Sequence, residues 1–259
     1  MSEEIFAQYS SYYDLLYQDK DYEAEAAYVA GVLRATDSGI RELLEFGSGT
    51  GRHGRLMAQH GIRVFGVERS EFMVALASQQ RPTHPLPGDG VFECVRGDIR
   101  NVQIDRVFDS VVALFHVLSY QTRNDDVLRT FSNAARHLRP NGVFLFDVWH
   151  GPAVLGMRPS IRVKRVEDER TRLIRIAEPT LDTRTSVVKV RYTMLAEDKI
   201  DGHLTSFHEE HEMRYFFPVE IELLAKLNGF ELVRCEEFQS GRPPSEATWG
   251  VAYLVRKSV

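Results

Sequence analysis

One stretch decides the fold: LLEFGSGTG, residues 43–51. It begins with a short apolar run of the kind found in buried strands, and glycines then follow at alternate positions. Glycine lets the backbone turn sharply and approach a ligand without a Cβ atom in the way. The helix predicted from Arg52 offers unpaired N–H groups to an anion. The stretch therefore predicts a strand, a nucleotide-binding loop and a helix, in that order.

The flanking sequence extends this pattern. Short apolar runs alternate with helical periodicity up to residue 148, which is typical of a mostly parallel sheet with helices on its faces. Beyond His150 apolar residues recur at every second position, which indicates antiparallel strands over residues 155–216. A helix from Pro218 and two closing strands follow. We expect an α/β fold with a Rossmann-like, seven-stranded mixed sheet flanked by helices, and a β-rich insertion after the fifth strand.

Composition excludes several classes of protein. The net charge of −5 and the pI of about 6.0 argue against a broad phosphate-binding surface, so we predict no nucleic-acid partner. No apolar run reaches the about 20 residues that span a bilayer, and the acidic N-terminus is unlike a secretory signal. Cys94 and Cys235 have no partner at metal-ligand spacing. We predict a cytoplasmic protein without a membrane partner or a metal, and a homodimer is the oligomer that we consider.

The glycine loop is compatible with two cofactors. Residues 49–54 read GTGRHG, which fits the dinucleotide fingerprint, and Glu68 follows near the expected spacing. Glu45 favours a different ligand, because a carboxylate beside the first glycine suits an ammonium group and repels a pyrophosphate. Asp98, after the third predicted strand, can accept a bond from an adenine amine. With the antiparallel closing strands, these acids favour S-adenosylmethionine.

This ordered set of motifs resembles the class I S-adenosylmethionine-dependent methyltransferases over residues 40–150 and 218–256. The resemblance implies that the loop binds the methionine part of the cofactor, that Glu68 binds the ribose hydroxyls and that Asp98 binds the adenine amine. The full set of expected cofactor-binding residues is Tyr13, Tyr22, Glu45, Gly47, Ser48, Gly49, Gly51, Glu68, Arg69, Met73, Asp98, Ile99 and Leu114.

Two residues are candidates for catalysis. His116 follows an apolar strand, where α/β folds bind their ligands, and it could act as a base or simply pack at the strand end. The run from Tyr13 to Glu25 resembles the lid helices of N-methyltransferases that act on nucleotide-linked amino sugars, and more loosely those acting on glycine. In those relatives a tyrosine at the Tyr13 position lies over the reactive end of the cofactor. A packing stripe is the alternative for these tyrosines.

The insertion carries two further groups of polar residues. A basic cluster at its start could receive a substrate phosphate or lie on a solvated face; it comprises Arg158, Arg162, Lys164 and Arg165. Later come His203, His208 and His211. On a strand His208 and His211 would point to opposite faces, which disfavours a shared metal.

These observations predict three parts: a helical lid over residues 1–39, a methyltransferase core over residues 40–154 and 217–259, and an insertion over residues 155–216 that covers the acceptor side. We expect an enzyme that transfers a methyl group to a nitrogen or oxygen of a small molecule, with a nucleotide-linked amino sugar as the first candidate. An NAD(P)-dependent oxidoreductase and a non-catalytic cofactor-binding protein on the same fold are the alternatives.

Overall fold

The computed structural model describes residues 9–79 and 90–258. The strands are β1 (Glu42–Phe46), β2 (Arg63–Glu68), β3 (Val91–Arg96), β4 (Phe108–Ala113), β5 (Leu138–His150), β6 (Arg162–Glu167), β7 (Thr171–Asp182), β8 (Val187–Asp198), β9 (Leu204–Phe216), β10 (Phe230–Glu237) and β11 (Gly250–Lys257). The helices are α1 (Tyr13–Leu16), α2 (Tyr22–Thr36), α3 (Arg52–Gln59), α4 (Glu71–Gln79), α5 (Asn124–His137), α6 (Gly151–Met157) and α7 (Pro218–Leu227), with 3₁₀ turns at Tyr9–Tyr12 and Val117–Tyr120.

The central sheet has the predicted composition. Strands β1 to β5 pair in parallel in the order β3-β2-β1-β4-β5. Strand β11 then pairs antiparallel with β5, and β10 pairs antiparallel with β11. The Rossmann-like mixed sheet expected from the sequence is confirmed, but its seven core strands continue into the strands of the insertion rather than forming a separate sheet. Because parallel strands end at the same edge, the loops after β1, β2, β3 and β4 lie side by side there.

The β-rich insertion is a four-stranded antiparallel meander, β6-β7-β8-β9. It joins the central sheet at the end of β5, where Trp149 pairs with Tyr215 and His150 with Phe216 in parallel. The two parts together form one eleven-stranded sheet. The insertion therefore lies at the same edge of the sheet as the glycine loop after β1, because β5 extends beyond the ends of the other parallel strands.

Aromatic packing holds α5 against the central sheet. The ring of Phe131 on α5 lies 5.6 Å from the ring of Phe144 and 5.3 Å from that of Phe146 on β5. All three side chains are fully buried. On the other face, α2 buries Val29 and Leu33 in a second apolar cluster with β1 and β4. Within the described ranges, no helix combines the length and apolar character needed to cross a membrane.

We expect Phe131→Ala to lower the free energy of unfolding by about 3–5 kcal/mol, because it removes a fully buried ring and leaves a cavity between α5 and β5. Phe72, which is 44% exposed on α4, provides the matched control, and Phe72→Ala should cost less than about 1 kcal/mol. Urea denaturation of both variants measures the difference. Equal losses would contradict this account of the core.

Candidate active site

The loop after β1 forms a backbone cradle. Gly47, Gly49 and Gly51 have φ angles of +68°, +55° and +80°. A Cβ atom on Gly47 would lie 2.5 Å from the Val117 side chain, and one on Gly51 would lie 2.5 Å from the Phe92 ring. Only glycine satisfies both the left-handed backbone and the close packing at these two positions.

Glu45 is buried at the base of this cradle with a vacant hydrogen-bonding position. It is 2% exposed, and its Oε2 atom accepts no hydrogen bond from the described residues. Burial raises the pKa of Glu45 to about 8, with Arg55 opposing the shift and Glu68 adding to it. A buried carboxyl without a partner is costly, so this site suits a ligand that brings an ammonium group to it.

Glu68 closes the other side of the cradle. Its Oε2 atom accepts a hydrogen bond from the Gly49 N–H at 2.9 Å, and its Oε1 atom accepts one from the Ser70 N–H at 2.8 Å. Burial raises the pKa of Glu68 even though backbone N–H groups oppose the shift. The predicted acid at the end of β2 is therefore joined directly to the glycine loop.

Asp98 is linked to Glu68 through the backbone, because the Gly97 N–H donates to the Glu68 carbonyl at 2.9 Å. The Asp98 carboxylate accepts hydrogen bonds from Arg100, whose Nε lies 2.9 Å from Oδ1, and Arg100 also pairs with Asp126 at 3.0 Å. Burial acts to raise the pKa of Asp98, but these bonds and the charge of Arg100 hold it below its usual range. Arg100 was not among the residues predicted from the sequence.

Several other predicted residues surround the cradle. Ser48 is buried with its Oγ atom 3.2 Å from the Cys94 Sγ atom. The sulfur of Met73 lies 3.9 Å from the position that a Cβ atom on Gly49 would take. Three more predicted residues lie at strand ends or turns of the same edge: Arg69 after β2, Ile99 after β3 and Leu114 after β4.

His116 is paired with a carboxylate that sequence reasoning missed. Its Nδ1 atom lies 2.7 Å from Oδ2 of Asp147, and its backbone N–H donates to the same carboxylate at 3.2 Å. Asp147 lies on β5 and is 1% exposed. Burial would raise the pKa of Asp147, but His116, and then Lys20, hold it below its usual range, so it is ionised. The signal in the sequence was a single acid inside the apolar run VFLFDVW, residues 143–149.

The turn that presents His116 has an unusual backbone. Phe115 and His116 both have left-handed φ angles, +61° and +62°, which non-glycine residues seldom adopt. Such a conformation costs free energy and persists where the surroundings enforce it, often at functional sites. Here the contacts of Phe115 with the N-terminal segment and of His116 with Asp147 supply that enforcement.

The N-terminal segment packs over this turn. The rings of Tyr13 and Tyr17 lie 4.8 Å apart, and the Tyr17 ring contacts the Phe115 ring edge-on at 5.1 Å. Lys20 places its Nζ atom 4.4 Å from the Phe115 ring centre and 4.6 Å from that of Tyr22. Two of the predicted residues, Tyr13 and Tyr22, thus lie on a segment that contacts the loop carrying His116.

Comparison with known proteins decides the family. Residues 44–146 match the family model described as a methyltransferase domain. The chain is 30% identical, over 185 residues that make up 70% of each chain, to a dTDP-4-amino-2,3,4,6-tetradeoxy-D-glucose N,N-dimethyltransferase of Saccharopolyspora spinosa. The chain belongs to the class I S-adenosylmethionine-dependent methyltransferases. It is also 27% identical to a dTDP-3-amino-3,4,6-trideoxy-alpha-D-glucopyranose N,N-dimethyltransferase of Streptomyces venezuelae, over 89% of this chain and 93% of that relative.

Solved structures agree with this membership. The sugar N-methyltransferase KedS8 of a Streptoalloteichus species superimposes with a TM-score of 0.78 at 25% identity, covering 95% of this chain and 93% of that chain. An S-adenosylmethionine-dependent methyltransferase of Clostridium acetobutylicum superimposes with a TM-score of 0.80 at 20% identity, covering 98% and 100%. The second likeness concerns the fold alone.

Membership confirms the predicted enzyme class and S-adenosylmethionine as the cofactor. It also decides between the two interpretations of the glycine loop, in favour of methyl transfer over hydride transfer. The geometry fits this cofactor, because Cβ atoms on Gly47 and Gly51 would collide with their neighbours and the buried Oε2 atom of Glu45 has no hydrogen-bond partner among the described residues. Among the residues that the structure describes, no cluster of three or more His, Cys, Asp or Glu is arranged to hold a metal.

The raised pKa of Glu45 makes stability depend on pH. In the unfolded chain this carboxyl ionises near its ordinary pKa of 4.5, whereas in the folded protein it keeps its proton up to about 8. Its contribution is therefore fully present below pH 4.5 and is lost as the pH rises towards 8. We expect the ligand-free protein to lose about 2–4 kcal/mol from this group between pH 5 and pH 8.

Glu45→Gln removes this titration while keeping the shape of the side chain. Urea denaturation of both proteins at pH 5 and pH 8 should show a smaller pH dependence in the variant. Because other groups titrate in both proteins, the comparison isolates Glu45. An identical pH dependence in the two proteins would show that Glu45 is not held protonated.

Proposed function

We propose that this methyltransferase transfers methyl groups to the amino nitrogen of a nucleotide-linked amino sugar, with His116 as the base. The observation that carries the proposal is the pairing of His116 with the ionised Asp147 at the edge of the sheet that also holds the glycine cradle. An amine acceptor reaches the enzyme as an ammonium ion and must lose a proton before it can attack. Relatives whose names describe N-methylation of dTDP-linked amino sugars support the acceptor class.

Asp147 gives His116 the form that a base requires. The Asp147 carboxylate lies 2.7 Å from Nδ1 and would attract a proton to that nitrogen, which would leave the lone pair on Nε2. His116 is 20% exposed in its side chain, whereas Asp147 is almost fully enclosed. The exposed part of the ring can therefore face an acceptor while the carboxylate fixes its orientation. This is the arrangement by which a buried acid orients a catalytic histidine in other enzymes.

The cofactor would be held by the acids along the sheet edge. Glu45 would face its ammonium group, Glu68 its ribose hydroxyls and Asp98 its adenine amine. When bound, the cofactor supplies a methyl group activated by a positively charged sulfur. Further contacts are proposed for Tyr13, Tyr22, Gly47, Ser48, Gly49, Gly51, Arg69, Met73, Ile99 and Leu114.

The three predicted parts would act together around this site. We take residues 1–39 as the lid, residues 40–154 and 217–259 as the core and residues 155–216 as the cover of the acceptor side. Contacts between the first and third parts support this division, because Lys164 pairs with Asp19 at 2.7 Å. Lid residues 1–8 lie outside the described residues. Cytoplasmic location and a homodimer stay predictions.

The acceptor class can be tested directly. Incubation with S-adenosylmethionine and either dTDP-3-amino-3,6-dideoxyglucose or dTDP-4-amino-2,3,4,6-tetradeoxyglucose should yield a product heavier by one or two methyl groups, detected by mass spectrometry. The matched control is dTDP-6-deoxyglucose, which carries a hydroxyl in place of the amine. Methylation of glycine but of neither amino sugar would contradict the proposal.

We expect Asp147→Asn to lower kcat/KM for the amino sugar by about 100-fold or more, because the neutral amide no longer provides the carboxylate that faces the His116 ring. The affinity for S-adenosylhomocysteine, measured by calorimetry, should change little. Asp109→Asn is the control, since Asp109 bonds Arg139 and the backbone of Arg41 at the start of β1, away from the site. If Asp147→Asn keeps its activity within threefold of wild type, the proposed role of His116 as the base is contradicted, and His116 is a residue that only packs at the end of the strand.

A further inference from the structure

The two tryptophans of the chain, Trp149 and Trp249, lie side by side next to His116. Their ring centres are 5.6 Å apart, and the Trp149 ring lies 6.2 Å from the His116 ring, edge to face. Both indoles are half-buried. Large aromatic side chains supply much of the contact energy in small-molecule sites. This tryptophan pair is therefore placed to contact a substrate that reaches the proposed base.

The sheet holds the tryptophan pair against His116. The His150 N–H donates to the Trp249 carbonyl at 3.0 Å. The next residue, Gly250, pairs with Trp149 where β11 begins beside β5. A Cβ atom on Gly250 would lie 3.4 Å from Cε1 of His116, which is the distance of an ordinary packing contact. The start of β11 thus lies directly against the His116 ring.

Strand order places the tryptophan pair on the side of His116 that faces away from the proposed cofactor site. The three acids of that site lie at the ends of β1 and β2 and after β3, all on one side of β4. His116 follows β4 itself. Trp149 lies near the end of β5 and Trp249 directly before β11, both on the other side of β4. Neighbouring strands are about 4.8 Å apart, so acids, base and indoles follow one another along the sheet edge.

This order fixes where an acceptor has room to bind. Its nitrogen must lie close to both His116 and the cofactor, because methyl transfer requires aligned reactants. The cofactor acids take the side of β1 to β3, which leaves the side of β5 and β11 for the rest of the acceptor. There the tryptophan pair packs on buried residues of α6 and β9, Val154 and Tyr215, which hold the indoles in place.

The chemistry of the indoles favours a sugar with few hydroxyls. An indole ring offers a flat apolar surface, on which C–H groups of a sugar ring can pack. A hydroxyl that is pressed against this surface loses its hydrogen bond to water and gains none in return. Deoxygenated positions of a sugar carry no such cost.

We infer that Trp149 and Trp249 bind the C–H surface of a deoxy amino sugar and direct its nitrogen to His116. The inference rests on the proposed function, because it takes the acceptor to be an amino sugar. The tryptophan pair sets the affinity for the acceptor and not the rate of methyl transfer, since neither indole exchanges a proton with the substrate.

Indole fluorescence reports directly on this binding, because both tryptophans of the chain belong to the pair. Protein saturated with S-adenosylhomocysteine is titrated with the dTDP-linked amino sugar that it methylates, with excitation where thymine does not absorb. We expect a saturable change of emission in wild type and in both Trp149→Phe and Trp249→Phe, each of which keeps one indole. The control is dTDP alone, which should leave the emission unchanged. An equal change with dTDP alone would assign the indoles to the nucleotide and overturn the inference.

Kinetics separate binding from chemistry. We expect Trp249→Leu to raise KM for the amino sugar about 10-fold, with kcat changed less than about threefold, because a flat contact surface is lost while the base is kept. Trp249→Phe retains an aromatic ring and should recover most of the affinity. Phe238→Leu is the matched control, because Phe238 begins the same loop between β10 and β11 but its ring contacts Tyr28 on α2, at 5.1 Å. Its KM should stay near that of wild type.

An unchanged KM in Trp249→Leu, or an equal rise of KM in Phe238→Leu, would overturn the inference. The affinity for S-adenosylhomocysteine and the melting temperature show whether each variant is folded. Should Trp249→Leu fail to fold, the fluorescence titration of the two phenylalanine variants decides. An emission that does not change with the amino sugar in either of them overturns the inference.

Failure of the proposed function is distinguishable from failure of this inference. If wild-type protein binds S-adenosylhomocysteine but methylates neither amino sugar, the acceptor class is wrong, and the role of the tryptophan pair is wrong with it. If wild-type protein methylates an amino sugar but its indole emission and the KM of Trp249→Leu stay unchanged, only the inference falls.

Discussion

One buried oxygen governs the cofactor side of the structure: Oε2 of Glu45 has no hydrogen-bond partner in the part of the chain that the structure describes. Glu45 lies at the end of β1 beneath a loop of left-handed glycines, and burial moves its pKa to about 8. Folding bears this cost because the apolar cores on both faces of the sheet are large. An oxygen without a hydrogen-bond donor is complementary to a cation, and here that oxygen is Oε2 of Glu45. The neighbouring Glu68 carboxylate holds the glycine loop in place by accepting the Gly49 N–H. We propose that the ammonium group of the cofactor binds at this oxygen of Glu45.

The acceptor side follows from where the chain goes after β5. This strand is long enough to carry Asp147 under the turn of His116 and then to pair with β9 of the insertion. The insertion faces the N-terminal segment, whose tyrosines contact Phe115 on one side and His211 on the other. The core contributes one histidine and carboxylate pair next to the N-terminal segment, His116 with Asp147. The insertion contributes a second pair, His211 with Glu209.

The sequence was sufficient for features that are encoded locally. The glycine loop, the acids at the ends of β1 and β2 and after β3, and the closing antiparallel strands each have a signature within a few residues. The partners of these groups were not predictable in the same way. Asp147 lies 31 residues from His116, and Tyr120 lies 91 residues from His211. Neither contact can therefore be recognised from the sequence around either residue. The left-handed backbone of Phe115 and His116 was equally hidden, because positive φ is signalled in a sequence only where glycine or asparagine occurs.

We propose that Glu45 ionises when the cationic end of the cofactor binds. Calorimetric titration with S-adenosylhomocysteine, repeated at pH 7 in buffers of different ionisation enthalpy, tests it most directly. We expect binding to wild-type protein to release close to one proton and the affinity to rise up to about tenfold per pH unit between pH 6 and pH 8. Glu45→Gln should show neither effect. Binding without proton release, or no saturable binding at all, would contradict it.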